Sequence, residues 1–196
     1  MITIAQAYAQ FLEIMPAIDD EVAMREAWNN YTDSLTKDGE LTGLQYHYCP
    51  AYGETMPDDD IESDILHILD GMGVTFTCKS IRFRSDGLCE SMDRHWLCGI
   101  NRGSRSMCVE YSQGSASKNP PTLLDVLSCC LSDFVDAKIF EESEFEWWGG
   151  ELGYDTDSRK AEAIYRAVIA QSCDMRETFN SQEIDDLHGL FSEAGL

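Results

Sequence analysis

The chain has 196 residues, 36 acidic against 14 basic side chains, a formal net charge of -22 and a pI near 4.2. That length buries a core as one domain of ordinary size or as two small ones, and a content of 43% hydrophobic and 10% aromatic residues is too apolar for a disordered acidic tail. No run approaches the ~20 uninterrupted apolar residues of a membrane span, and a field of this sign disfavours direct binding to DNA or to an anionic membrane.

In chain order, Ile4, Ala7, Tyr8, Phe11, Leu12 and Met15 recur at helical spacing behind Thr3, whose hydroxyl is placed to cap the first helix. A second helix is expected from about Asp20 to Lys37, with Ala23, Met24, Ala27, Trp28, Tyr31 and Leu35 on one face and Asp38-Gly39 as its stop. A short helical turn falls near Leu41–Tyr48, closed by Pro50. Asp58, Asp59 and Asp60 stand where the next helix begins, and negative charge there suits the positive end of the helix dipole. Its stripe is Ile61, Ile65, Ile68 and Leu69, and Gly71 or Gly73 ends it.

From Val74 the apolar period becomes two, with Val74, Phe76 and Cys78 alternating with Thr75, Thr77 and Lys79. Ile81 and Phe83 are one residue out of step, which predicts a bulge or kink near Lys79-Ser80. Trp96, Cys98 and Ile100 define a second strand, and Met107, Val109 and Tyr111 a third beyond the turn Asn101-Arg102-Gly103-Ser104. After a loop from Gly114 to Pro121, Thr122 heads a helix bearing Leu123, Val126, Leu127, Cys130 and Phe134. Ser143 with Glu146 has capping-box spacing ahead of Phe145, Trp148 and Leu152. Thr156 or Asp157 is the expected cap of the longest C-terminal helix, which buries Ala161, Ile164, Tyr165, Val168 and Met175; a last helix carries Ile184, Leu187, Leu190 and Phe191.

The fold class is therefore α+β: N-terminal helices, a small three-stranded antiparallel sheet, then C-terminal helices. The expected division is an acidic helical region over 1–72 and an α+β region over 73–196, with strands in about 73–112 and helices in about 122–194. One composite domain accommodates the same pattern.

Charge follows the same blocks. Residues 1–72 carry a net -13, residues 73–120 a net +3, and residues 121–196 a net -12. The basic middle consists chiefly of Lys79, Arg82, Arg84, Arg94, Arg102 and Arg105, interleaved with Phe76, Phe83 and Trp96. A basic sheet with aromatics suits single-stranded nucleic acid, which gives one alternative reading of the protein as a nucleic-acid-binding accessory factor. With acidic blocks on both sides, pairing of these cations within the fold is the preferred reading.

Catalytic and metal-binding patterns are missing from the sequence. There is no G-x-S-x-G elbow, Walker sequence or H-E-x-x-H, so neither an enzyme nor a cofactor is expected. Gly71-Met72-Gly73 joins a helix to a strand, the reverse of a dinucleotide fingerprint. The Asp58 and Asp155 clusters lack the glycine and the bidentate glutamate of a calcium loop. Cys89, His95, Cys98 and Cys108 lack the paired C-x-x-C knuckles of structural zinc, and a strand over 95–100 sends His95 and Cys98 to opposite faces. No metal is expected. The eight cysteines are read as reduced thiols of a cytosolic protein, several on apolar faces, since the N-terminus has no basic segment of a secretory signal. Of Trp147 and Trp148, one is expected in the core and the other over a helix edge.

Two segments carry a resemblance. Glu26-Ala27-Trp28-Asn29-Asn30-Tyr31-Thr32-Asp33-Ser34-Leu35 through Gln45-Tyr46 resembles a module of uncharacterised bacteriophage accessory proteins. Leu124-Asp125-Val126-Leu127 followed by Glu151-Leu152-Gly153-Tyr154-Asp155-Thr156-Asp157-Ser158-Arg159-Lys160-Ala161-Glu162 looks like a second such module. The resemblance implies a phage or prophage origin, of the kind that includes anti-restriction and anti-CRISPR proteins, and hence the cytoplasm of a bacterial host. It names no target and no oligomeric state.

Charge arithmetic gives that implication a mechanism. A 196-residue globule is about 40 Å across, and B-DNA of that length carries about 24 phosphates, close to the net -22 here. The expected function is inhibition of a host defence protein or ribonucleoprotein by an acidic DNA mimic that occupies its basic nucleic-acid channel. The expected partner-binding carboxylates are Asp58, Asp59, Asp60, Glu62 and Asp64 from the first acidic block, with Glu141, Glu142, Glu144 and Glu146 from the second.

Overall fold

A computed structural model describes residues 1–15, 20–81, 94–113, 119–140, 144–151 and 153–196. The elements run α1 (Ile4–Ile14), α2 (Glu21–Lys37), α3 (Gly43–His47), α4 (Ile61–Gly71), β1 (Val74–Ile81), β2 (Arg94–Arg102), β3 (Arg105–Gln113), α5 (Leu123–Phe140), α6 (Phe145–Glu151), α7 (Arg159–Thr178) and α8 (Ser181–Ala194). The fold is α+β, with a three-stranded antiparallel sheet between N-terminal and C-terminal helices. The chain forms two compact units, Met1–Gly73 with Gln182–Leu196, and Val74–Ser181.

The first unit is helical because its caps and its apolar spacing agree. Thr3 accepts from the Gln6 backbone N–H at 3.0 Å, and the Gln6 side chain accepts from the Thr3 N–H, so both donors at the start of α1 are satisfied. Asp20 accepts from the N–H groups of Val22 and Ala23 to open α2, and Gly39, at φ 77°, closes it in the left-handed conformation. Ala7, Phe11, Met24, Trp28, Leu35 and Leu41 form the core. Trp28 is 1% exposed, lies 5.2 Å from Phe11 and 5.3 Å from Tyr8 between ring centroids, and donates its indole N–H to the Pro50 carbonyl at 2.9 Å. Leu12, one residue off the stripe set by Ala7 and Phe11, is exposed.

The C-terminal helix belongs to this unit, so the strand-bearing unit ends near Ser181 and does not run through 73–196. The Leu44 N–H at the start of α3 donates to Asp186 on α8 at 2.9 Å, and Ile184, Leu187, Leu190 and Phe191 are buried as their spacing predicts.

In the second unit the strands follow the order β1-β2-β3. The β1–β2 register runs unbroken from Val74 opposite Arg102 to Ile81 opposite His95. The predicted bulge at Lys79-Ser80 is therefore absent from the pairing, but the alternation of burial does slip there: Lys79 and Ser80 are both exposed and Ile81 is half-buried. Phe83 lies outside the described residues. Gly103, at φ 60°, makes the tight turn into β3. The inner face buries Cys98, Ile100, Met107 and Val109, α7 packs on β3, and α5 packs on α7. Thr122 and Asp125 cap α5 reciprocally. The cap of α7 is Ser158, not Thr156 or Asp157, because Asp155 first ties residues 155–158 into a turn through the N–H groups of Asp157 and Ser158. Trp148 is buried and stacked on Tyr154 at 5.0 Å, while Trp147 is exposed.

Trp28 separates packing from hydrogen bonding. Trp28→Ala is expected to cost ~3–5 kcal/mol by opening a cavity. Trp28→Phe retains much of the volume but leaves the buried Pro50 carbonyl without its donor, at ~1–3 kcal/mol. Urea unfolding of the two variants checks the order.

Candidate acidic interaction surface

The start of α4 gathers most of the first predicted cluster, and its members do different work. Asp60 is the N-cap, accepting from the Ser63 N–H at 2.7 Å and from the Ser63 hydroxyl at 3.1 Å. Asp59 accepts from the Thr3 hydroxyl at 2.6 Å, at the entry to α1. Both keep exposed surface, as do Asp58 and Glu62.

Asp64 does not belong to that surface. It is 0% exposed, and its Oδ2 accepts from the Ile4 N–H at 2.9 Å and from the Gln45 amide at 2.8 Å. The same Gln45 nitrogen donates to the Ile2 carbonyl, and the Gln45 oxygen accepts from the Thr42 N–H. One carboxylate on α4 thus ties the first turn of α1 to α3. Burial pushes the Asp64 carboxyl above its usual range, against the opposing pull of Gln45, the Ile4 N–H and His67. Its Oδ1 is buried without a hydrogen-bond partner.

The second predicted cluster lies on the other unit. Glu144 and Glu146 are exposed at the entry to α6, where the Glu144 carbonyl accepts from the N–H groups of Trp147 and Trp148. Glu141 and Glu142 lie outside the described residues.

Grouping by unit reorganises the charge. The first unit holds 19 acidic and 2 basic side chains, a net -17, and the second holds 17 and 12, a net -5. Of the 18 described acids of the first unit, 14 are exposed and only Asp64 is buried. Its two basic side chains, Arg25 and Lys37, are engaged with Glu21 and Asp33 one turn away on the same helix. Glu183, Asp185, Asp186 and Glu193 of α8 contribute to this acidic unit, an addition that the linear charge blocks concealed.

The described cations of the alternative basic sheet divide between its two faces. Arg102 donates to the Thr178 carbonyl at 3.1 Å and lies over the Phe179 ring, closing the C-terminal end of α7 where a cation opposes the dipole. Arg105 stands opposite Arg102 on the helix-covered side, whereas Lys79 lies on the outer face opposite Leu97. Arg82, Arg84 and the Arg94 side chain lie outside the described residues. Phe76 and Trp96 occupy the inner face, while Thr75, Thr77, Lys79, Leu97, Asn101, Cys108 and Glu110 occupy the outer one. Among the described residues the outer face has no Phe, Tyr or Trp on which a base could stack, and its His95 lies beside Glu110 at 3.9 Å.

The same register divides the suspected zinc ligands, with Cys98 inner and His95 and Cys108 outer; Cys89 lies outside the described residues. Among the described residues no group of three or more His, Cys, Asp or Glu side chains is placed to hold a metal ion. The described cysteines are free thiols, but Cys108, Cys129 and Cys173 are exposed and not core-facing. Burial pushes Cys49 and Cys130 up to about 12, which keeps both protonated at neutral pH. No helix among the described residues is long and apolar enough to cross a membrane. Comparison with protein-family models, curated proteins and solved structures gives no match.

Asp64 generates a test with a defined sign. A carboxyl raised by folding contributes stability below its unfolded pKa and loses it as pH rises through the folded value. Asp64→Asn keeps an acceptor for Ile4 and Gln45 and is expected to flatten the fall in stability as pH rises above the ordinary carboxyl range of about pH 4. Asp64→Ala strands both donors and is expected to cost ~2–5 kcal/mol at neutral pH. Urea unfolding from the carboxyl range up to neutral pH checks both.

Proposed function

We propose that the protein is a non-enzymatic, phage-encoded inhibitor that acts in the host cytoplasm by occupying the basic nucleic-acid channel of a defence complex, either a restriction enzyme or a CRISPR ribonucleoprotein. The observation that carries this reading is the net -17 of the first unit, with 14 of its 18 described acids exposed. An 88-residue unit is about 31 Å across, and duplex DNA of that length carries about 18 phosphates. A surface of that charge count attracts a channel built for DNA, speeds encounter, and competes with the nucleic acid. The phage origin rests on the resemblance of the two segments described above.

Glu26, Asp58 and Asp70 are exposed, and none caps a helix or lies in the first turn of one, so their neutralisation separates surface charge from folding. Expression of the full chain in a bacterium with an active restriction or CRISPR system is expected to restore plaques of a targeted phage. Each single neutralisation should cost little, ~0.2–1 kcal/mol of binding, because exposed charges are screened. The triple variant should lose rescue progressively, and duplex DNA should displace the wild-type protein from the captured complex. Capture that persists undiminished under saturating duplex DNA and high salt contradicts the proposal.

A further inference from the structure

β2 is the centre of the sheet and β1 is one edge, and the register sets Cys78 directly opposite Cys98. Directly opposed residues of antiparallel strands have Cα atoms ~4.5–5.5 Å apart, inside the ~4.4–6.8 Å window that a disulfide accepts. Both side chains lie on the inner face, both thiols are free, and their Sγ atoms are 3.2 Å apart. Backbone register and sulfur contact therefore point to the same chemistry.

We propose that Cys78 and Cys98 form a redox-responsive site, at which hydrogen peroxide converts the thiol pair into a cross-strand disulfide that fastens edge strand β1 to β2. Cys78 is half-buried on the edge strand and meets the oxidant first. Its sulfur attacks the peroxide, the O–O bond breaks, and a sulfenic acid forms as the departing oxygen leaves as water with the Cys78 proton. The Cys98 sulfur then attacks the Cys78 sulfur, the S–O bond breaks, and the hydroxyl leaves as a second water with the Cys98 proton. Two thiols lose two electrons and two protons, and the peroxide gains them.

The roles follow from burial. Cys98 is 0% exposed, and burial, with the neighbouring Cys78 sulfur, pushes its thiol up to about 12. It is therefore a poor first nucleophile but a well-placed second one, since contact makes the closing step intramolecular. The product closes residues 78–98 into a covalent ring and restrains edge strand β1 against β2.

The test treats the full chain with hydrogen peroxide, alkylates the remaining thiols and maps peptides without reduction. The expected result is a peptide linked through Cys78 and Cys98, two of the eight thiols lost, a mass two hydrogens lower, and reversal by dithiothreitol. Slower amide exchange across β1 should accompany it. A Cys108→Ser, Cys129→Ser, Cys173→Ser triple variant, which lacks three exposed thiols, should form the same linkage. Linkage of Cys78 to another cysteine overturns the proposal. So does over-oxidation of Cys78 with Cys98 still free, or oxidation confined to the exposed thiols. The mapping uses the unaltered chain, so its outcome does not depend on how a variant folds.

Discussion

The Asp64 carboxylate receives hydrogen bonds from Ile4 and Gln45, residues 60 and 19 positions earlier, and the first unit is arranged around that convergence. Ile4 is the first residue of α1, so its N–H has no partner within its own helix. The same solution recurs: Asp20 opens α2, Asp60 opens α4, Asp186 on α8 receives the Leu44 N–H of α3, and Asp59 holds the Thr3 cap. Each places negative charge at the positive end of a helix dipole, where it stabilises the fold. Part of the acidity is therefore structural, and Asp64 is its buried extreme.

The remaining carboxylates have a different consequence. Two cations, both already engaged on α2, leave the surface of the first unit with a strongly negative field and self-repulsion in the folded state. Aromatic packing around Trp28 and the capped helix ends oppose that repulsion. The second unit is less negative, at net -5, and Arg102, from its basic stretch, serves a helix terminus and an aromatic ring. Negative charge concentrated in one unit is the distribution that the proposed capture of a cationic partner requires.

Local signals in the sequence carried most of the fold. Thr3 before an apolar stripe, Asp38-Gly39 after one, and the two-residue period from Val74 are decided by neighbours within a few positions, and the helices and strands they imply are present. The errors arose where distant segments decide. Asp64 reads as one more surface acid until α1 and α3 arrive against it, and the return of α8 to the first unit is fixed by contacts such as Leu44 with Asp186. Ile81 breaks the two-residue period without a bulge: the ladder keeps its register while burial passes from Cys78 to Ile81 across exposed Lys79 and Ser80. The acidic surface was legible as composition, but its concentration in one unit required the tertiary fold.

The first unit carries exposed negative charge that its two basic side chains leave largely uncompensated. Amide-exchange protection of α1, α2 and α4 as salt rises from about 0.01 M to about 1 M tests it most directly, since the Debye length then falls from ~30 to ~3 Å. Screening of self-repulsion should increase protection in all three helices. Protection that stays constant or falls with salt would mean that the carboxylates are already compensated, and would contradict self-repulsion within the first unit.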